Sequence, residues 1–208
     1  MIHEILPVGA LGCNCSIFGD ETTREAIVVD PGDDIRDITV ILERLQLQVK
    51  AIVITHAHID HIGGAHRLKT LTGAPVYMNE NDQPLYDNLD IQAAWLGMRT
   101  PERTPIDHNV KDGDKLTLGP VDFEMRHTPG HTQGSISIYI PAEGKLIAGD
   151  TLFARSIGRT DLPGGNHRQI ITSIKEKLLT LPEQTLVIPG HGPSTTIGEE
   201  REENPFLG

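Results

Sequence analysis

Four side chains able to bind a metal fall within six residues: His56, His58, Asp60 and His61 of Thr55-His56-Ala57-His58-Ile59-Asp60-His61. Imidazole nitrogens and carboxylate oxygens are donors that zinc, iron and manganese accept. On a loop, residues i and i+2 can turn toward one centre while i+4 and i+5 turn toward another. This differs from a His-Glu-x-x-His helix, which sets both ligands at one spacing. Crowding four such groups together without a cation would incur desolvation and charge repulsion. Three more candidates lie downstream: His131 in Thr128-Pro129-Gly130-His131-Thr132, Asp150 after Leu146-Ile147-Ala148-Gly149, and His191 after Leu186-Val187-Ile188-Pro189-Gly190. Two nearby dications would lower the pKa of a shared water and stabilise a developing oxyanion, so no serine or cysteine nucleophile is required. The isolated His3, His66, His108 and His167 read as packing or hydrogen-bonding residues, and His127, four before His131, as a support for it.

Such ligands need rigid strand ends to hold them and free loops to shape a pocket. The sequence supplies alternating strands and helices. Cys13 to Phe18 and Ala26 to Asp30 read as strands, the second nearly all apolar, as in a strand covered on both faces. Asp30-Pro31-Gly32 stops it, and Asp33 or Asp34 can cap a helix carrying Ile35, Ile38, Leu42 and Leu45 at helical spacing. The strand Ala51 to Thr55 runs straight into the histidine cluster. A helix from Ala65 to Leu71 and a strand from Pro75 to Met78 follow. Glu80 to Asp107 holds Pro84, Pro101, Pro105 and a helical stretch from Leu89 to Leu96 with the single tryptophan, Trp95. It reads either as a lid or wall over the site or as a helical excursion with Trp95 packed underneath. Strands are expected at Lys115 to Leu118, Val121 to His127, Ser135 to Ile140, Lys145 to Gly149 and Thr185 to Ile188. A helix is expected along Ile170, Ile171, Ile174, Leu178 and Leu179, and a tail from Glu199 to Gly208 that is charged and then irregular.

The length of 208 residues predicts one compact domain that needs no structural metal, so a ligand cluster is read as serving chemistry. The net charge of -11 argues against a nucleic-acid partner. There is no apolar run of membrane-helix length, and Met1 to Pro7 does not resemble a signal peptide. Neither a membrane association nor export is expected, and a cytoplasmic location is. Cys13 and Cys15, one residue apart, would point the same way from a strand. They read as reduced and partly buried rather than as a redox pair or a zinc knuckle.

The segment Thr55 to Gly64, with His131, Asp150 and His191, resembles the metallo-beta-lactamase fold superfamily, and within it the glyoxalase II-like hydroxyacylglutathione hydrolases. The resemblance spans roughly Cys13 to Gly192. It implies an α/β fold, a four-layer αββα sandwich of two mixed sheets flanked by helices. It also implies two zinc ions, with iron or manganese as alternatives: one bound by His56, His58 and His131, the other by Asp60, His61 and His191, and Asp150 bridging them beside a water or hydroxide. Asp60 and Asp150 would then be the catalytic carboxylates, Asp60 orienting the hydroxide as well as binding metal. Zinc beta-lactamases lack a bridging aspartate at this point, so Asp150 favours thioester or related hydrolysis.

The activity implied is hydrolysis of S-lactoylglutathione, or a related small-molecule thioester, to a thiol and a hydroxy acid. A thiolate leaving group, with a pKa of about 8.5, needs no strong general acid. Arg155 and Arg159, on the loop after Asp150, are candidates to hold a substrate carboxylate, or else pair with local acids. Full-length glyoxalase II enzymes add a C-terminal helical domain that supplies much of the glutathione surface, and 17 residues beyond His191 are too few for one. The alternative activity is a mononuclear iron persulfide dioxygenase. Lactonase, lactamase and nuclease chemistry, and a non-enzymatic metal-bound interaction module, rank below it. The sequence does not indicate an oligomeric state.

Overall fold

The apolar run expected as a two-sided strand is one: Ala26, Ile27, Val28 and Val29 are all buried. The computed structural model describes residues 1–208, and these form two compact units, Met1–Asn109 with Leu118–Pro120, and Val110–Thr117 with Val121–Gly208. In the first unit, β1 (Ile2–Val8), β2 (Cys13–Gly19), β3 (Glu25–Val29), β4 (Gln48–Val53), β5 (Val76–Met78) and β6 (His108–Asn109) form one sheet in that order. The first three strands pair antiparallel, and β3 through β6 pair parallel. Parallel neighbours need crossovers, and the helical segments supply them. α1 (Ile35–Arg44) links β3 to β4, and α2 (Ile59–Ile62) with α3 (Ala65–Thr72) links β4 to β5. α4 (Gln83–Asp87) and α5 (Leu89–Leu96) link β5 to β6. α1 buries Ile35, Ile38 and Leu42, the face its spacing predicted.

The second unit carries its own six-stranded sheet. In chain order its strands are β7 (Lys115–Leu118), β8 (Val121–His127), β9 (Ile136–Ile140), β10 (Lys145–Gly149), β13 (Leu186–Pro189) and β14 (Thr195–Thr196). A hairpin of β11 (Leu152–Phe153) and β12 (Ser156–Ile157) stands apart from it. β10 pairs antiparallel with β9 and parallel with β13. The crossover between β10 and β13 contains α6 (His167–Ser173), which buries Ile170 and runs into a π-helical turn that buries Ile174 and Leu178. Each sheet is therefore mixed and flanked by helices, in the α/β class expected.

The structure adds two elements and places one side chain differently. The charged start of the tail is helical: Thr196 opens α7 (Ile197–Glu203) with a reciprocal capping box to Glu199, and turns follow it. Trp95 is not packed underneath its helix but is 65% exposed, beside exposed Ile91 and Leu96. β1 was not anticipated. Its burial is mostly intermediate, with Ile5 and Pro7 both exposed, as befits an edge strand, where proline is tolerated. No helix is long and apolar enough to cross a membrane.

Candidate metal centre

Parallel strands leave their carboxyl ends side by side, and loops leaving those ends are where ligands collect. In the first unit β3 and β4 are in register at Val29 and Val53, so Asp30 and the Thr55 to His61 segment emerge together. Asp30 has φ +53, a left-handed conformation, and is held by its amide to the Val53 carbonyl at 3.0 Å. Its carboxylate is 2% exposed and fully engaged. Oδ1 accepts from the Thr55 amide at 2.7 Å, and Oδ2 accepts from the Thr55 hydroxyl at 2.6 Å and from His61 Nδ1 at 2.8 Å.

These contacts fix which ring nitrogens are available. A carboxylate oxygen only accepts, so His61 Nδ1 carries its proton and Nε2 presents a lone pair. Thr55 Oγ1 spends its proton on Asp30, so at 3.1 Å it accepts from His56 Nδ1, which again leaves Nε2 bare. His56 Nε2 lies 3.1 Å from His58 Nδ1. That is close to the separation, roughly 3.3 Å, of two nitrogens bound at about 2.0–2.1 Å in a tetrahedral zinc site. Asp60 Oδ2 is 3.7 Å from His61 Nε2. The loop is tied from the other side by the Glu80 to Asp107 region. Asp82, fully buried, accepts from the Ala57 amide at 2.9 Å. Gln92 accepts from the Ile59 amide and donates to the Ala57 carbonyl.

The second unit repeats the principle. β10 and β13 pair in parallel with a register shift between Ile147 and Gly149, and Gly149 has φ +50. This irregularity turns Asp150 out of the strand beside His191. Asp150 Oδ2 is 3.8 Å from His191 Nε2 and 3.6 Å from His131 Nε2, so one oxygen faces two imidazoles. His131 Nδ1 donates to the Arg159 carbonyl at 2.8 Å, which aims its Nε2 in turn. Gly130 precedes it at φ +135, where a Cβ would stand 2.2 Å from the Ile170 amide nitrogen.

Each candidate histidine whose tautomer is fixed has its second nitrogen donating to an oxygen, the arrangement that orients metal-bound imidazoles. The donor chemistry in both units thus fits divalent cations. Asp30, Thr55, Asp82 and Gln92 were not singled out from the sequence as supports. For Asp30 the available signal was an acid ending a buried strand that pairs in parallel with the strand entering the histidine cluster. His127 turns to the Gln133 carbonyl and not to His131. His3 stacks on Phe18, His66 pairs with Glu102 and His108 stacks on Tyr77.

The loop arginines take the local option. Arg159 makes a two-pronged bond to Asp161, which holds the Asp161 carboxyl down at about 2, and Arg155 pairs with Glu203. Cys13 and Cys15 are free thiols and fully buried. Burial pushes the Cys13 thiol up to about 11, even though its sulfur lies 3.5 Å from His61 Nδ1. An aromatic disulfide reagent at pH 8 is therefore expected to leave both thiols of the folded protein untouched and to titrate two after denaturation. Rapid labelling of the native chain would contradict the buried placement.

Residues 8–191 match the family model of the metallo-beta-lactamase superfamily. The chain is 40% identical to the hydroxyacylglutathione hydrolase GloC of Haemophilus influenzae, covering 98% of this chain and 97% of that one. Among solved structures, the BLEG-1 B3 metallo-beta-lactamase superimposes with a TM-score of 0.92 at 39% identity, over 99% of both chains. TTHA1623 in a di-iron-bound form superimposes with a TM-score of 0.90 at 36% identity, over 98% of this chain and 100% of that one.

Proposed function

Because the chain belongs to the metallo-beta-lactamase superfamily and is one of its metal-dependent enzymes, we propose that it hydrolyses a small acyl thioester, S-lactoylglutathione or a close relative, to a thiol and a hydroxy acid. The observation that carries this reading is Asp150, whose one carboxylate oxygen faces both His131 and His191. A carboxylate so placed suits a bridge between two ions. In this reading His56, His58 and His131 would hold one ion, Asp60, His61 and His191 would hold the other, and Asp150 would serve both. The same donors accept zinc, iron or manganese, and a zinc pair is the form proposed. When bound, the pair supplies a nucleophilic hydroxide at neutral pH and charge to offset the oxyanion.

The chain's own residues do the rest. Asp60 would receive and hold the proton of the attacking group. Asp30 and the Arg159 carbonyl keep His61 and His131 in the tautomer whose Nε2 is bare. The thiol half leaves as thiolate, so no general acid is demanded of the protein. The likeness to a hydroxyacylglutathione hydrolase over nearly the full length supports the thioester. The likeness to BLEG-1 supports a second reading, hydrolysis of a lactam.

The test is metal analysis of anaerobically purified protein, with turnover of S-lactoylglutathione and of a cephalosporin measured on the same sample. About two ions per chain, with thioester turnover that is lost on chelation and restored by zinc, is the expected result. One iron per chain with no hydrolysis and persulfide-dependent oxygen uptake would overturn it. So would lactam turnover that exceeds thioester turnover.

A further inference from the structure

Beside the ligand loop of the first unit lies a cavity of about 620 Å³, within the range of small-molecule pockets. Its wall is the backbone of the segment that carries Asp60 and His61. Gly32 packs so closely there that a Cβ would fall 1.6 Å from the Asp60 carbonyl oxygen, and one on Gly63 would fall 2.5 Å from that of Ile59. The lining combines apolar Ile59 and Met98 with two arginines, Arg67 and Arg99. Both are exposed, and neither is tied to a carboxylate, unlike Arg155 and Arg159. Two acids also line it. Glu102 is engaged by His66 Nε2 at 2.8 Å, and Asp33 is exposed, with one oxygen accepting from the Asp34 amide.

Two guanidinium groups against two carboxylates leave the cavity with both signs of charge and little net charge. That lining disfavours a simple polyanion such as inorganic phosphate and matches a zwitterion with an apolar stem. We propose that this cavity holds the peptide-like thiol half of the substrate, its carboxylates on Arg67 and Arg99 and its ammonium toward Asp33. The assignment rests on the thioester reading above. Guanidinium groups bind carboxylates through two parallel hydrogen bonds, which sets orientation as well as affinity. Binding energy gathered on this non-reacting tail is then available to position the acyl carbon.

The experiment uses zinc-loaded full-length protein with Arg67→Met, Arg99→Met, the double variant and Arg67→Lys. Two readouts are taken: the calorimetric Kd for S-methylglutathione, and the ratio of kcat/KM for S-lactoylglutathione to that for the neutral S-lactoyl-N-acetylcysteamine. Each methionine variant is expected to raise the Kd and lower the ratio by about tenfold or more, with Arg67→Lys recovering part of the loss. An unchanged Kd and ratio in the double variant would overturn the pocket and leave thioester hydrolysis standing. If wild type cleaves neither thioester, yet binds S-methylglutathione and loses it in the double variant, the hydrolase reading falls and the pocket stands.

Discussion

Replacing Asp30 by asparagine is expected to lower metal affinity about 10- to 100-fold, although Asp30 is not proposed to touch a metal. The carboxylate accepts three hydrogen bonds, from the Thr55 amide, the Thr55 hydroxyl and His61 Nδ1. An asparagine offers one acceptor oxygen and one donating NH2. Whichever way it is turned, the NH2 meets a hydrogen that previously had an acceptor. If it faces Thr55 N–H, the amide that anchors the ligand loop is unsatisfied, at about 1–3 kcal/mol. If it faces the other side, His61 loses the acceptor that fixes its tautomer, and Thr55 turns away from the position that supports His56. Competition with a chromophoric chelator measures the affinity, and a thermal melt of the metal-free variant separates this effect from loss of fold. Wild-type affinity in a folded variant would remove Asp30 from the machinery.

The larger loss of turnover is expected at Asp150. With alanine there, the zinc content should fall from about two ions per chain to about one or fewer. kcat/KM for S-lactoylglutathione should then drop by about a thousandfold, a loss of about 4 kcal/mol in transition-state stabilisation. The reasoning is geometric: one oxygen stands 3.6 Å from His131 Nε2 and 3.8 Å from His191 Nε2, and alanine removes it from both. Elemental analysis and steady-state kinetics on the same preparation check the two halves of the prediction together. Two ions retained with a loss below about tenfold would show that Asp150 does not join them.

Much of the scaffold was legible because its signals are local. The apolar run at Ala26 and the spacing of Ile35, Ile38 and Leu42 announce a strand and a helix before any tertiary contact is known. The misread parts depend on partners far along the chain. β1 is recognisable only through its seven-residue pairing with β2. The tail helix packs Glu200 at 1% exposure, where it accepts from the Arg155 amide and the Thr195 hydroxyl, so a segment that reads only as charged is anchored by a buried acid. Trp95 inverts the usual expectation for a lone tryptophan, and no local pattern marks it as exposed.

The candidate ligands stood out by residue type and crowding. Their supports did not, because Asp30, Asp82 and Gln92 lie 25 to 35 positions from the groups they hold. Asp30-Pro31-Gly32 also reads, correctly, as a strand stop, and that reading hides the second role of its first residue.

His61 and His131 are steadied by different kinds of acceptor, and the difference governs how freely the chain can drift. His131 leans on the main-chain carbonyl of Arg159. Every amino acid carries that carbonyl, so position 159 can change its side chain, and the loop its charge, while the support persists. His61 leans on a side-chain carboxylate that must also serve Thr55 twice, once through each oxygen. Nothing longer, shorter or neutral can stand in for it. A laboratory lineage selected for new substrates should therefore accumulate changes along the Arg155 to Asn166 loop and few at Asp30, the first being a place where specificity can be rewritten without disturbing the imidazole beneath it.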